Sequence, residues 1–179
     1  MSVEENKKLV EKYPFLIPRN VCTGEIVKDY DYSYIEGFNY GWKDIFLEYC
    51  ENILPWYNSL DEESKKQFYF TELKEKYGQM RIYTSFTSEE ERKANDIVLN
   101  KSKWTCYNCG KKPRDSKHNH VIWTNRGYII HLCKECALKS CDYDKKKLKK
   151  WFSRKTHDKK FYIKSYEDGK WIKNLIMEW

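Results

Sequence analysis

Two pairs of cysteines provide the clearest chemistry in this sequence. Each pair has two residues between its cysteines, and about two dozen residues separate the pairs, which comprise Cys106, Cys109, Cys133 and Cys136. A C-x-x-C segment can turn tightly enough to aim both sulfurs at one point, and two such turns complete a tetrahedral zinc site. We therefore predict one structural Zn²⁺, because four protein ligands leave no open coordination position for catalysis.

The residues beside these cysteines favour a metal knuckle over a redox centre. Gly110 follows Cys109, at a position where a knuckle often needs a positive φ, and glycine adopts that conformation without steric cost. A redox-active C-x-x-C is the alternative, but two copies so close together fit one metal ion better than two redox centres. The pattern therefore indicates zinc binding.

A predictable frame surrounds the four cysteines. β-Forming residues over 121–123 and 128–130 flank Asn125-Arg126-Gly127, and this pattern predicts a β-hairpin between the pairs. The residues after Cys136, through about Phe152, predict one helix, whose N-terminus would favour thiolate charge. A knuckle, a hairpin and a second knuckle that opens a helix resemble a treble-clef zinc finger, and a plain zinc ribbon is the alternative.

The net charge of +7 hides an asymmetry between the two halves of the chain. Residues 1–100 contain 13 basic and 19 acidic side chains, whereas residues 101–179 contain 21 basic and 8 acidic ones. Codon bias in an AT-rich genome can raise the lysine content everywhere, but it cannot separate acids from bases. We therefore predict an acidic domain over 1–100 and a basic zinc-finger domain over 101–179.

Composition and hydropathy narrow the function classes. No apolar stretch approaches the roughly 18 residues of a membrane-spanning helix, and the charged residues 1–12 do not resemble a signal peptide. Three cysteines remain outside the zinc site, and we expect Cys22, Cys50 and Cys141 to be reduced core residues. The expectation is a cytoplasmic protein with no disulfides and no membrane partner.

Apolar spacing predicts three main helices in the N-terminal part, after a short polar helix. The first covers 42–57, with Pro55 kinking or ending it, and the second covers 60–77. A capping box at 87–91 starts the third helix, which extends to about Asn100.

Two strands are predicted in the same part. Residues 80–86 alternate in polarity, and Tyr30, Tyr32 and Tyr34 alternate with polar residues. The tyrosines would form one face of a half-buried strand or, alternatively, an aromatic recognition surface. The predicted fold is α+β: a helix-rich N-terminal domain with short strands, a four-cysteine zinc module, and a C-terminal basic helix and β-hairpin about Asp168-Gly169.

Several short motifs carry a family resemblance. In chain order they are LIPRN, TGE, YDYSY, GW and EKYGQMRIYT, followed by the four-cysteine module. This order resembles a family of uncharacterised proteins from phages and prophages of low-GC Gram-positive and related bacteria, over residues 14–136. The resemblance implies a phage origin, and hence the cytoplasm of a host bacterium, without implying an activity.

A cationic segment follows the cysteines and suggests nucleic-acid binding. The candidate contacts are Lys145, Lys146, Lys147, Lys149, Lys150, Arg154 and Lys155. Lysine outnumbers arginine there, which favours contact with the phosphate backbone over the reading of bases. A solvated helix face is the alternative interpretation.

Two other functions compete with this one. A phage accessory protein of this size can also inhibit a host defence protein, for example as an anti-CRISPR protein. The string His118-Asn119-His120 suggests an HNH-type nuclease, but the helix after Cys136 has no His or Asn before His157 to complete a catalytic metal site. We therefore assign no catalytic residue and predict a non-enzymatic accessory protein that binds nucleic acid or a nucleic-acid-bound host protein.

Overall fold

The computed structural model describes most of the chain. The described residues are 3–30, 34–37, 40–111, 121–125, 129–148, 152–155, 160–167 and 170–178. Within them, helices and a two-stranded sheet form the N-terminal part, and a four-cysteine cluster with a small three-stranded sheet follows. This arrangement confirms the predicted α+β fold class.

Four helices form the N-terminal part. They are α1 (Val3–Lys12), α2 (Lys43–Ser59), α3 (Glu62–Gln67) and α4 (Glu89–Ser102). The Ser88 hydroxyl accepts a hydrogen bond from the Glu91 amide at 3.0 Å, so α4 begins at the predicted capping box. Helix α2 does not end at Pro55, because the burial of Ile53 and Tyr57 on either side offsets the hydrogen bond that proline cannot donate.

The prediction of one helix over 60–77 is wrong beyond Gln67. Strand β1 (Phe70–Lys76) instead pairs antiparallel with strand β2 (Gln79–Thr84). The two residues between these strands, Tyr77 and Gly78, have φ values of 55° and 72°, as in a type I′ hairpin turn.

A bulge explains why this strand resembled a helix in the sequence. The register of β1 shifts between Phe70 and Glu72, which leaves both Phe70 and Leu73 buried although they are three residues apart. Three-residue spacing of buried side chains is also typical of a helix. The turn at Tyr77-Gly78, rather than the apolar spacing, therefore identifies the structure of this segment.

The predicted tyrosine strand is not seen in the described residues. Tyr34–Gly37 forms a 3₁₀ helix, while 31–33 lie outside the described residues. The Tyr34 hydroxyl donates a hydrogen bond to the Phe70 carbonyl at 2.8 Å. This residue therefore anchors its segment to β1, and the structure does not test the proposed recognition surface.

An aromatic core fills the N-terminal part. We call it the N-terminal cluster, and it contains nineteen buried residues between Val10 and Val98. Phe70 is central, since the rings of Phe15, Phe46 and Tyr49 have centroids 5.7–5.8 Å from its own. Tilted and edge-to-face pairs of this kind add to the free energy that apolar burial provides.

One carboxyl group is buried beside this cluster. Glu91 has no exposed surface, and its Oε1 accepts hydrogen bonds from the Tyr49 hydroxyl at 2.7 Å and the Asn95 amide at 3.4 Å. Burial raises the pKa of Glu91, and these hydrogen bonds oppose that effect.

Short elements surround the four cysteines. Strands β3 (Val121–Thr124) and β4 (His131–Leu132) form a hairpin between the two pairs, as predicted, and helices α5 (Lys134–Ser140) and α6 (Lys145–Leu148) follow. The second strand comes after the predicted range 128–130, and Arg126 and Gly127 of the predicted turn lie outside the described residues. Strand β5 (Phe152–Lys155) pairs antiparallel with the other edge of β3, so the sheet order is β4-β3-β5. We call residues 106–148 the cysteine module.

The prediction of one continuous basic helix is wrong. Asp142 and Tyr143 have φ values of 53° and 58°, so the chain leaves the helical conformation after α5. Helix α6 lasts a single turn, ending at the buried Leu148. The chain then forms β5, because β3 offers a strand edge for pairing that cannot be seen in the local sequence.

A second hairpin closes the chain, as predicted. Strands β6 (Lys160–Glu167) and β7 (Lys170–Glu178) pair antiparallel, and Glu167 faces Lys170. The predicted turn residues Asp168 and Gly169 lie between these paired residues and outside the described residues. Among the described residues, no helix combines the length and the apolar character that crossing a membrane requires.

Candidate metal centre

The structure brings the four predicted ligands together. The sulfur atoms of Cys106, Cys109, Cys133 and Cys136 all lie within 4.8 Å of one another. The Sγ atoms of Cys109 and Cys133 are 3.7 Å apart. Two thiolates bound tetrahedrally at the usual zinc–sulfur length of about 2.3 Å are separated by roughly 3.8 Å, so this cluster has the dimensions to hold one metal ion.

The first pair lies on a tight knuckle. The Gly110 amide donates a hydrogen bond to the Cys106 carbonyl at 2.9 Å, and the Cys106 amide donates to the Lys111 carbonyl at 3.0 Å. Gly110 has a φ of +73°, which confirms the conformation predicted for it. A side chain at this position would strain the turn that aims the first two sulfurs.

The second pair lies at the start of a helix. Cys133 is the residue before α5, with an extended ψ of 163°, and the Ala137 amide donates to its carbonyl at 2.9 Å. Cys136 lies in the first turn of the same helix. A hairpin precedes this pair and a helix begins at it, which is the order of elements that the predicted treble clef requires.

The thiols of the cluster differ in acidity. Hydrogen bonding from Cys106 lowers the pKa of the Cys133 thiol to about 5, and the same contact raises the pKa of Cys106. Burial raises the pKa of Cys136 to about 12. The thiolate of the cysteine before α5 is therefore favoured among these ligands, and a bound cation would stabilise the thiolate form of every one of them.

An ion pair joins the two knuckles on their outer side. The Lys111 amine lies 3.0 Å from a carboxylate oxygen of Glu135 in the first turn of α5. The hydrogen bond to Glu135 raises the pKa of Lys111, with smaller contributions from nearby thiolates. This cation therefore offsets part of the negative charge that four thiolates would place here.

The first knuckle packs directly on the N-terminal part. A Cβ atom at Gly41 would lie 2.3 Å from the Cys106 carbonyl oxygen and 2.5 Å from the Gly110 nitrogen. The neighbouring Trp42 is fully buried, and its indole Nε1 donates to the Thr105 carbonyl at 3.2 Å. Apolar spacing predicted a helix from residue 42 but did not reveal this contact, because the need for glycine at 41 depends on residues over sixty positions away.

A buried histidine forms a second contact between the two parts. His131 in β4 is 1% exposed, and its Nδ1 lies 2.7 Å from the Thr124 hydroxyl. A Cβ atom at Gly78 would lie 2.4 Å from His131 Nε2, so the β1–β2 turn lies against the imidazole ring. His131 is a side chain of the β3–β4 hairpin and lies outside the group of four cysteines.

The predicted cationic contacts do not share one helix face. Lys145, Lys146 and Lys147 are exposed on α6, and Lys147 pairs with Asp142 at 3.3 Å. Arg154 and Lys155 belong instead to strand β5. The remaining candidates Lys149 and Lys150, and the histidines His118 and His120, lie outside the described residues.

The three cysteines outside the cluster differ from one another. Cys50 and Cys141 are buried, which agrees with the prediction that they are core residues. The same prediction is wrong for Cys22, which is exposed in the turn that follows Asn20. The Asn20 side chain accepts hydrogen bonds from the backbone of Cys22 and Thr23, so this turn is stabilised by polar contacts and not by burial.

No family model, curated protein or solved structure matches the chain. The resemblance to phage proteins therefore stays a prediction.

Proposed function

We propose that this chain binds one structural zinc ion and uses the cationic segment beyond it to bind the phosphate backbone of nucleic acid, without catalysing a reaction. Cys106, Cys109, Cys133 and Cys136 would hold the ion as thiolates, and zinc is the usual ion in closed tetrahedral sites of four thiolates. Zinc would supply folding free energy there. No ligand position would be left for a substrate, so its role would be structural.

The position of the lysines relative to the cluster carries the nucleic-acid part of the proposal. Helix α5 begins at the ligand Cys133, and the exposed Lys145, Lys146 and Lys147 follow it after one tight turn. Strand β5, with Arg154 and Lys155, pairs with β3 of the same small sheet. Exposed lysines therefore follow the proposed metal site directly, and further cationic residues lie on a strand of the same small sheet. Lysines in this number favour phosphate contacts that carry no base specificity.

The metal is tested first, on the purified full-length chain. We expect elemental analysis to find one zinc ion per chain and the Cys136→Ser variant to lose it. The Cys22→Ser variant is the matched control, because that cysteine is exposed and lies outside the cluster. Wild-type protein that is folded without zinc, and takes up none from a stoichiometric solution, would overturn this part of the proposal.

Nucleic-acid binding is tested by fluorescence anisotropy on zinc-loaded protein over a range of salt concentrations. The test variant replaces five lysines by alanine: Lys145, Lys146, Lys147, Lys149 and Lys150. A matched variant replaces five exposed lysines of the N-terminal part, which changes the net charge equally: Lys7, Lys8, Lys28, Lys66 and Lys93.

We expect wild-type affinity to fall steeply with salt. The test variant should bind more weakly, with a salt dependence reduced by about one unit of slope for each lost phosphate contact. The matched variant should lose much less affinity. Equal losses in the two variants would mean that only net charge matters, and an absence of binding would redirect the search to a protein partner.

A further inference from the structure

The β1–β2 hairpin has an outer face that the fold does not use for its core. Leu73, Met80 and Ile82 are buried on the inner face, where they join the N-terminal cluster. The register places six side chains on the opposite face in three cross-strand pairs: Glu72 with Tyr83, Lys74 with Arg81, and Lys76 with Gln79. This outer face, together with Tyr77 at the turn, is a basic and aromatic surface within the acidic half of the chain.

The two tyrosines are exposed, and each has a lysine beside it. Tyr77 is 63% exposed and Tyr83 is 41% exposed. The Lys76 amine lies 5.6 Å from the centre of the Tyr77 ring, and the Lys74 amine lies 5.1 Å from that of Tyr83. Aromatic rings with adjacent cations suit a single strand of nucleic acid, whose bases can stack on the rings while its phosphates contact the lysines.

Tyr77 occupies a conformation that does not suit it. Its φ of 55° lies in the left-handed region, where Asn, Asp or Gly would fit the first position of this turn with less strain. The exposed ring gains little from burial to offset that strain. A strained residue without a packing benefit is a reason to look for a role in binding.

Helix α4 holds this face rigid. The Asn95 amide donates to the Ile82 carbonyl at 3.0 Å, and the Ser102 hydroxyl accepts from the Met80 amide at 3.0 Å. The turn itself lies against His131 of the cysteine module. The hairpin is therefore held in place by α4, and its turn contacts the basic C-terminal part of the chain.

We propose that the outer face of this hairpin binds single-stranded nucleic acid, with Tyr77 and Tyr83 stacking on bases and Lys74, Lys76 and Arg81 contacting phosphates. Charge complementarity selects this ligand, because the face carries three cations against the single carboxylate of Glu72, which pairs with Lys74 at 2.6 Å. The inference rests on the proposed nucleic-acid function, and it specifies single strands as the ligand and a second surface as their site.

The decisive variant is Tyr77→Asn in zinc-loaded, full-length protein. Asparagine suits the turn better than tyrosine, so the unfolding temperature should not fall, and a loss of binding cannot be attributed to misfolding. We expect an affinity about tenfold lower for labelled oligo(dT) and oligo(U) of roughly 15 nucleotides, since each stacked base contributes substantially to such complexes. Tyr83→Ala should act in the same direction, whereas Tyr83→Phe should retain binding.

Tyr40→Asn is the matched control. Tyr40 is 78% exposed and has Lys43 5.7 Å from its ring centre, but it lies outside the hairpin. Its replacement should leave the affinity unchanged. Equal losses in Tyr40→Asn and Tyr77→Asn would overturn the assignment to the hairpin, as would unchanged binding in both Tyr77→Asn and Tyr83→Ala.

The outcomes separate this inference from the proposed function. Wild-type protein that binds no nucleic acid would overturn both. Binding that depends on the five lysines of the test variant between 145 and 150, but not on Tyr77 or Tyr83, would overturn the hairpin site alone. Binding that depends on the tyrosines and not on those lysines would move the contact surface to the hairpin. A preference for duplex over single strands would contradict base stacking and also reject the inference.

Discussion

The two clusters of buried residues in this molecule are held together by different means. The N-terminal cluster contains nineteen buried residues, with Phe70 at the centre of several ring contacts. Within the described residues, the cluster of the cysteine module has five: Cys106, Leu132, Cys133, Ala137 and Leu148. Two of these five are candidate metal ligands, so apolar burial can stabilise the first region, whereas the proposed ion would stabilise the second.

The two regions nevertheless share a boundary. Tyr107 packs against both clusters, and its ring centroid lies 4.7 Å from that of Trp42. Because Gly41 has no side chain, the first knuckle can pack against its backbone at this boundary. Substitutions in each region, and one at the contact between them, are therefore needed to compare what stabilises the two regions.

The largest effect should come from the metal. Chelation, or the Cys106→Ser substitution, removes a contribution on the order of 10–16 kcal/mol that structural zinc makes to small modules. We expect NMR signals of the described residues of the cysteine module to lose their dispersion, while those of the N-terminal cluster remain dispersed. The Cys22→Ser control should leave the spectrum intact, and a zinc-free sample with an unchanged spectrum would contradict the prediction.

The next largest effect should come from the centre of the N-terminal cluster. Phe70→Ala leaves a cavity among at least three rings, which should lower the free energy of unfolding by about 3–5 kcal/mol. Urea denaturation measures this loss, and zinc content in native buffer should stay at one ion per chain. Val21→Ala, at a residue 59% exposed, should change stability by less than about 0.5 kcal/mol.

A smaller effect is expected at the boundary. Gly41→Ala places a methyl group 2.3 Å from the Cys106 carbonyl oxygen, so the knuckle must shift, at a cost of about 1–3 kcal/mol. Unlike Phe70→Ala, this change should also make the metal easier to remove with a competing chelator. Asn58→Ala on the exposed side of α2 is the control, and equal chelator resistance in Gly41→Ala and wild type would show that the boundary does not couple the regions.

The smallest net change in the free energy of unfolding is expected for Glu91→Gln. The substitution removes a buried charge, which stabilises the fold, but it also weakens the hydrogen bond that Tyr49 donates, so the two effects oppose each other. Burial raises the folded pKa of Glu91 above its ordinary value of 4.5. The folded chain then binds more protons than the unfolded chain between these two values, so wild-type stability falls as pH rises through that window. The variant should lack this component, and parallel pH profiles of unfolding free energy in the two proteins would refute it.

Local signals predicted part of this fold correctly. The cysteine spacing, the positive φ of Gly110 and the cap at Ser88 depend on a few neighbouring residues, and the structure confirms all three. Each of them follows from a chemical requirement that only certain side chains meet, such as a thiol for a metal or a glycine for a left-handed turn.

The features that sequence reasoning missed depend on distant partners. The segment Phe152–Lys155 is a strand because β3 provides an edge, and Phe70–Lys76 is a strand because a turn folds β2 back on it. Gly41 is required because the knuckle lies against it. None of these partners can be identified from apolar spacing alone, because that spacing indicates which residues are buried but not which residues they contact.

The contact at Gly41 also has a consequence for the order of events during synthesis. Gly41 and the residues of the N-terminal cluster leave the ribosome well before Cys133 does, and domains tend to fold as they emerge. The first region can therefore be folded, with the surface around Gly41 already formed, when the first knuckle leaves the ribosome. Only the short segment after Val98 then separates the folded region from Cys106, so the first knuckle docks onto a preformed surface at little cost in loop-closure entropy. The proposed metal would be captured last, when Cys133 and Cys136 arrive.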